Sequence, residues 1–276
     1  MSHSELKAQR PIVFVVSEKG GVRKTFTAMA VIDVLHQAGF EVKVFQVDQQ
    51  GRLGSAYPDV CTIQLPPVDI FRTDELADGR ALAPLDEAIC NADGAIVVDI
   101  GANLDARVAS FSVAGEWGDE ADAAGREVFV LTPFLLDLDS VTLAARTAQR
   151  MAVAFPSSTI VPVACLTEAT FQGFPSREIE QAFVSHFPDE TRERLIVHSP
   201  LYTGALRLIE GAGVTPQTFV ELDARQAAPA LGIERAALRQ AQGDVARYVH
   251  ALRTELRKAL PFRGQQSSGI ASRQIP

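Results

Sequence analysis

Short apolar runs alternate along the chain with segments whose apolar residues recur every three or four positions. The runs at 11–17 (with Ile12-Val13-Phe14-Val15-Val16 at its heart), 95–100, 127–131 and 160–166 are largely continuous, and 42–47, which carries Lys43 and Gln46, reads as a further strand. Unbroken Val/Ile/Leu character, rather than apolar/polar alternation, is the mark of strands covered on both faces, as in parallel sheets. Helical spacing predicts a helix over 25–37, with Ala28, Val31, Ile32 and Leu35 on one face and Gly39 closing it. Further helices are predicted over 77–92, 138–154 and 177–185. Strand and helix alternate over roughly 200 residues, which predicts an α/β class: a doubly wound, mostly parallel sheet with helices on both faces. The proline-rich stretch 51–73, with Tyr57-Pro58 and Leu65-Pro66-Pro67, reads as a surface loop, and so does the acidic, polar stretch 115–126. No internal repeat is present.

The first strand runs directly into Glu18-Lys19-Gly20-Gly21-Val22-Arg23-Lys24-Thr25, and an apolar helix follows. A polyphosphate needs converging backbone N–H donors, a helix N-terminus behind them and a mobile cation. Gly20 and Gly21 allow turns that a Cβ would obstruct. Lys24 is placed to reach β and γ oxygens, and the Thr25 hydroxyl is placed to hold Mg²⁺. The candidate nucleotide contacts are therefore Lys19, Gly20, Gly21, Val22, Arg23, Lys24, Thr25 and Phe26. The common G-x-x-x-x-G-K-[ST] form is not met, because Glu18 and Arg23 stand at its outer glycine positions.

Lys19 to Thr25 does fit K-G-G-x-x-K-[ST]. It resembles the deviant Walker A loop of the ParA/MinD family of P-loop ATPases, which position DNA, division sites and protein assemblies. Val47-Asp48-Gln49-Gln50-Gly51-Arg52 is similar to the first switch of that family, with Asp48 at its second aspartate and Gln46 replacing the first. Val97-Val98-Asp99-Ile100-Gly101-Ala102 resembles the Walker B strand end and second switch, and Thr132-Pro133 resembles the turn after the next strand. The resemblance covers roughly 11–215, with its specificity concentrated in the first loop. It implies a P-loop NTPase fold, ATP and Mg²⁺ as cofactors, and an ATP-dependent homodimer. It further implies that Lys24 grips the β and γ phosphates, that Thr25, Asp48 and Asp99 serve the metal, and that Asp48 helps place the attacking water. Lys19 would reach the phosphates of a partner subunit, which makes Lys19, Lys24 and Asp48 the catalytic set.

Arg23 departs from the family, which usually has glycine there. A positive φ would cost a side chain on the order of 1 kcal/mol, and its bulk could block the β-phosphate. The guanidinium could instead swing outward or along the phosphates. The base is expected to lie against loops late in the chain, near Leu166-Thr167-Glu168 or Ser199-Pro200-Leu201-Tyr202. Three functions stay open: a dimerising, slow ATPase switch in plasmid or chromosome partition, conjugative transfer or macromolecular positioning; a degenerate scaffold that binds nucleotide weakly; and a metabolic P-loop enzyme. The last lacks an obvious substrate lobe. A dinucleotide-binding dehydrogenase is disfavoured, since G-x-G-x-x-G is missing from the first turn.

The 276 residues are 47% hydrophobic and 22% charged, with three scattered cysteines and no apolar run long enough to span a bilayer. A cytoplasmic location with reduced thiols is expected. The organisation expected is an extension at 1–10, one nucleotide-binding domain at 11–260 and a disordered tail at 261–276. A helix at 233–260 carries an apolar stripe of Leu238, Ala241, Val245, Val249, Leu252, Leu256 and Leu260. The net charge of −8 is uneven: from Ala224 onward nine Lys/Arg face three acids, +6 against −14 for the remainder. That helix is expected to pack on the body. A partner contact or non-specific DNA binding by its arginines is the alternative, and a membrane-surface role is disfavoured.

Overall fold

The computed structural model describes residues 10–49, 51–74, 76–167, 172–201, 203–260 and 262. The expectations for the 1–10 extension (save Arg10), for the tail (save Phe262), and for Gln50, Glu168 and Tyr202 fall outside the described residues. In chain order the elements are β1 (Ile12–Val15), α1 (Lys24–Gln37), β2 (Val42–Val47), β3 (Cys61–Ile63), α2 (Val68–Thr73), α3 (Ala77–Asn91), β4 (Ala95–Ile100), α4 (Asp105–Ala114) and α5 (Trp117–Ala123). They continue with β5 (Val128–Phe134), α6 (Leu138–Ala154), β6 (Thr159–Cys165), α7 (Arg177–His186), α8 (Asp189–Arg192), β7 (Ile196–His198), α9 (Thr203–Ala212), α10 (Pro216–Glu221), α11 (Ala224–Ala230) and α12 (Arg235–Ala259).

Among the described residues the strands form one seven-stranded sheet in the order β3-β2-β4-β1-β5-β6-β7, every neighbour parallel. The α/β, doubly wound class expected from the pattern is the class observed. β1 is central, with Val15 level with Asp99 of β4 and with Leu131 of β5. The chain leaves β1 towards one edge of the sheet and returns past it to build the other, so the carboxyl end of β1 lies at the reversal of strand order. Ligands of open α/β sheets bind at that crevice.

β1 is buried on both faces. Val13 and Val15 enter a core with α1 and α12, while Ile12, Phe14 and Val16 enter a second core with α3, α4 and α5. A third cluster joins α6 to α7 through Phe134, Val141, Phe183 and Phe187. This packing fixes the start of α1, and with it the β1–α1 loop, against the middle of the sheet.

Three sequence expectations are corrected. The stretch 51–73 is not merely a loop. After a 3-10 turn at Leu53–Ser55 it adds β3 to the sheet, with Phe45 level with Cys61. Leu53, Ile63 and Leu65 are buried there, and the buried Gln46 carboxamide accepts the Leu53 N–H at 3.0 Å. The stretch 115–126 contains α5, whose acidic residues Asp119 and Glu120 lie in its first turn while Trp117 and Ala121 are wholly buried. Its polar composition belongs to the outer face of a packed helix. Thr132-Pro133 lies inside β5 rather than in a turn. The Leu131 carbonyl accepts from Val16, beyond the last β1 pair, so the N–H that Pro133 lacks would have faced the side where β1 has already ended.

Arg126, at the entry to β5, is buried and donates to the carbonyls of Ile89 (2.7 Å), Gly94 (3.2 Å), Ala88 and Ala92, closing the C-terminal end of α3. The apolar stripe of α12 is spent on the body: Leu238, Val245, Val249, Leu252, Leu256 and Leu260 are all buried. Arg253 pairs with Asp33 of α1, and Arg257 bonds Gln37. No described helix is long and apolar enough to cross a membrane.

Candidate functional site

The carboxyl end of β1 delivers residues 17–23 into a turn that only certain backbones can make. Gly21 has φ +75°, and a Cβ built there would meet nothing within 4 Å, so glycine is required by conformation rather than by crowding. Arg23 has φ 60° and ψ 32°, a left-handed conformation occupied by a side chain. Its carbonyl starts α1 by accepting from the Thr27 N–H and from the Thr27 hydroxyl, both at 3.0 Å.

The N-terminus of α1 has no side-chain cap and no acidic residue in its first turn. By contrast α6, α7, α10 and α11 are capped by Asp137, Ser176, Thr215 and Asp223. N–H groups with no side-chain cap at the end of a 14-residue helix, behind a glycine turn, form an anion seat.

Around that seat stand the predicted chemical groups. The Thr25 hydroxyl donates to Asp99 Oδ2 at 2.8 Å, joining the loop to the end of β4 across 74 positions of sequence. Asp99 is almost fully buried, and burial pushes its carboxyl up to about 6 against the Thr25 hydrogen bond and the Lys24 charge. Lys24 folds back over the loop and donates to the Lys19 carbonyl at 2.7 Å. Burial lowers its pKa, while Asp99, Asp48 and Asp105 favour its charged form. Asp48 lies against Gly101, where an added Cβ would come within 3.0 Å of its carboxyl group, so this close approach depends on Gly101.

Gly20, Gly21, Val22, Arg23, Lys24, Thr25, Phe26, Asp48 and Asp99 thus line one cleft of about 720 Å³. Lys19 does not line it. Its ammonium bonds Asp137 at 2.9 Å and Asp139 at 3.1 Å at the start of α6, and these partners raise its pKa.

The residues fit Mg²⁺ and a nucleotide polyphosphate. The uncapped helix end and Lys24 suit phosphate oxygens, and the Thr25–Asp99 pair suits a hard cation. Among the described residues no group of three His, Cys, Asp or Glu could hold a metal by itself.

Sequence reading missed how the loop is braced. The Glu18 N–H donates to Thr147 Oγ1 at 3.1 Å, and its carbonyl accepts from the Asn103 N–H at 3.2 Å. Its carboxylate takes Arg146 at 2.9 Å and Arg150 at 3.0 Å. Arg150 and Thr147 also meet the buried Asp105 at 2.7 and 3.0 Å. The i, i+4 spacing of Arg146 and Arg150 on a predicted helix was the available signal, but nothing in sequence gave their distant partner. Arg23 donates to the Ser199 carbonyl at 3.1 Å, which places its guanidinium towards β7. Behind it lies a buried group of Cys165, His198 and Tyr248, in which the Tyr248 hydroxyl and His198 Nδ1 are 2.9 Å apart. Leu166, Thr167 and Ser199–Leu201, expected near the base, do not line the cleft. Its far wall is formed by α9 and its exit.

No family model matches the chain, and no curated protein matches it. Among solved structures it is similar to the septum site-determining protein MinD of Pyrococcus horikoshii OT3 in complex with Mg-ADP, at 13% identity and a TM-score of 0.46, over 86% of this chain and 95% of that one. It is also similar to the cell division ATPase MinD of Pyrococcus furiosus, at 15% identity and 0.45, over 88% and 99%. A plasmid partition protein from Borrelia burgdorferi matches at 12% identity and 0.40, over 68% and 89%.

Proposed function

We propose that this chain binds ATP with Mg²⁺ at the β1–α1 loop and hydrolyses it slowly, as a switch that dimerises on ATP. Its work would lie in partition, conjugative transfer or positioning of macromolecules. The observation that carries the reading is the hydrogen bond from Thr25 to the buried Asp99, set beside Lys24 and an uncapped helix N-terminus. A buried carboxylate that costs folding energy has a use if a cation is to sit there. Asp48 and Asp99 would repel an incoming polyphosphate, which supports a divalent cation entering with it. In that state Lys24 would leave the Lys19 carbonyl for phosphate oxygens, the helix N–H groups would hold the same anion, and Thr25 and Asp99 would serve the metal. Bound Mg²⁺ would supply charge neutralisation at the transferring phosphoryl group.

Calorimetric titration with ATP tests this. Saturable binding that needs Mg²⁺ is expected, weakened by about two orders of magnitude or more in Lys24→Ala, the scale of a lost charge-assisted contact. Equal binding by wild type and Lys24→Ala would sink the proposal. Light scattering after size exclusion, with and without Mg·ATP, tests the dimer, and Lys19→Ala is expected to abolish it.

A second reading, a nucleotide-dependent scaffold with little turnover, is favoured by two observations. Arg23 occupies a glycine conformation, and Lys19 is already engaged by Asp137 and Asp139. Phosphate release measured with and without DNA separates the two readings.

A further inference from the structure

The β1–α1 loop is fastened at both ends. Glu18 ties its entrance to α6 and to the turn after β4. Its exit, at Val22 and Arg23, is gripped by three later elements. The Val22 carbonyl accepts from the Cys165 thiol, at the end of β6, at 3.3 Å. The Arg23 guanidinium donates to the Ser199 carbonyl just past β7 at 3.1 Å, and it also hydrogen-bonds the Tyr248 hydroxyl of α12. Tyr248 in turn meets His198 Nδ1 at 2.9 Å, and both residues are buried.

These contacts have a direction. A guanidinium only donates, so the Tyr248 oxygen accepts from Arg23 and its single proton passes to His198 Nδ1. The imidazole proton then sits on Nε2, a buried nitrogen with no partner among the described residues. An unpartnered buried group calls for a reason, and one lies at the other end of the relay, in the backbone of Arg23.

That backbone is left-handed, with φ 60° and ψ 32°, a conformation glycine enters freely and a side chain does not. The Arg23 carbonyl takes the N–H and the hydroxyl of Thr27, so its peptide sets the first turn of α1, where Lys24 and Thr25 stand. Glycine here could find this shape unaided. Arginine is kept in it by what its side chain grips.

We propose that Tyr248 and His198 are positioning residues for the nucleotide site: through Arg23 they set the backbone of 22–24, and with it the approach of Lys24 and Thr25 to phosphate oxygens. This rests on the reading of the loop as an ATP site. The seat for phosphate thereby depends on the placement of α12, an element that does not touch the ligand.

A double-mutant cycle on the full chain, titrated calorimetrically with Mg·ATP and with inorganic tripolyphosphate, tests the proposal. Tyr248→Phe removes the hydroxyl and keeps the ring. With Arg23 present it should weaken both ligands by about five-fold, the scale of one lost hydrogen bond. Added to Arg23→Gly it should change neither by more than about two-fold, because the link to the loop is already cut. Amide exchange over 20–27 should quicken in the first case and not in the second.

Equal losses in the two backgrounds would mean that Tyr248 acts on the fold at large, and they would overturn the proposal. So would an unchanged affinity in Tyr248→Phe. His198→Leu removes the acceptor together with the unpartnered Nε2. It should repeat the pattern, and it carries the comparison if Tyr248→Phe is too unstable to titrate. If the parent chain binds neither ligand, the ATP-site reading fails and the positioning role goes with it. If the parent binds both and the cycle shows no coupling, the positioning role alone is lost.

Discussion

Asp99 is a carboxylate with almost no water around it, and its pKa is pushed up to about 6. Because the folded-state value exceeds the unfolded one, the folded chain holds the proton more readily. Stability therefore falls as pH rises from about 4 to about 6, and the full penalty persists above that. Asn at this position could still accept from Thr25 and carries no charge. Asp99→Asn is expected to stabilise the free protein at pH 7.5 by about 1–3 kcal/mol, with no gain at pH 4. The same variant should lose Mg²⁺-dependent ATP binding. Urea denaturation at the two pH values, with a parallel ATP titration, checks both halves. Arg23 presents a smaller balance. Glycine would relieve the left-handed backbone but would loosen the unfolded chain and lose the bond to Ser199. Arg23→Gly should lower stability by about 1 kcal/mol and reduce ATP affinity far less than Lys24→Ala. Urea midpoints and the same titration read these.

At the scale of elements, α5 and α12 show what composition conceals and what periodicity reveals. Trp117 is fully buried, packs edge-on against Phe111 and donates to Asp86. Trp117→Ala should cost about 3–5 kcal/mol, measurable as a lower urea midpoint, although its neighbours in sequence suggest a loop. In a seven-residue helix half the positions face water, so the acidic face outvoted one tryptophan. α12 spans 25 residues, long enough for the three-and-four spacing to stand out, and the stripe is buried much as the spacing implies. The same contrast separates β1, β2, β4, β5 and β6 from β3. β1, β4, β5 and β6 are largely continuous apolar runs and β2 is apolar at four of its six positions, whereas β3 has three residues and is recruited by its neighbour β2. That Lys24, Thr25 and Asp99 come together was legible, because the sequence placed them at the ends of a strand, a loop and a helix that a doubly wound sheet brings to one side. The braces on Glu18 and the α9 wall were not, because their partners are set by tertiary packing alone.

On the scale of the whole molecule, the late segments return to the centre of the sheet. α12 covers α1, and Tyr248 reaches His198 at the end of β7. Burial pulls His198 down to about 3, with the Arg23 charge adding to it, so the imidazole stays neutral. Its folded pKa lies below its unfolded one, so its contribution to stability is complete above about pH 6.5 and drains away as pH falls towards 3. This limb opposes the one set by Asp99. His198→Gln should flatten the acid side of the stability–pH curve between pH 6 and 4, and chemical denaturation across that range is the check. Glu18 ties the loop down through three of its groups. Its N–H, its carbonyl and its carboxylate are each held by α6 or by the turn after β4. The mouth of the loop is therefore anchored before any ligand arrives. A receptor already in its final shape gives up little conformational entropy on association, and capture need not wait for a chain to order itself. In Lys19→Ala, where no dimer is expected to follow, binding should proceed at the speed of encounter, with a favourable enthalpy and only a small change in heat capacity.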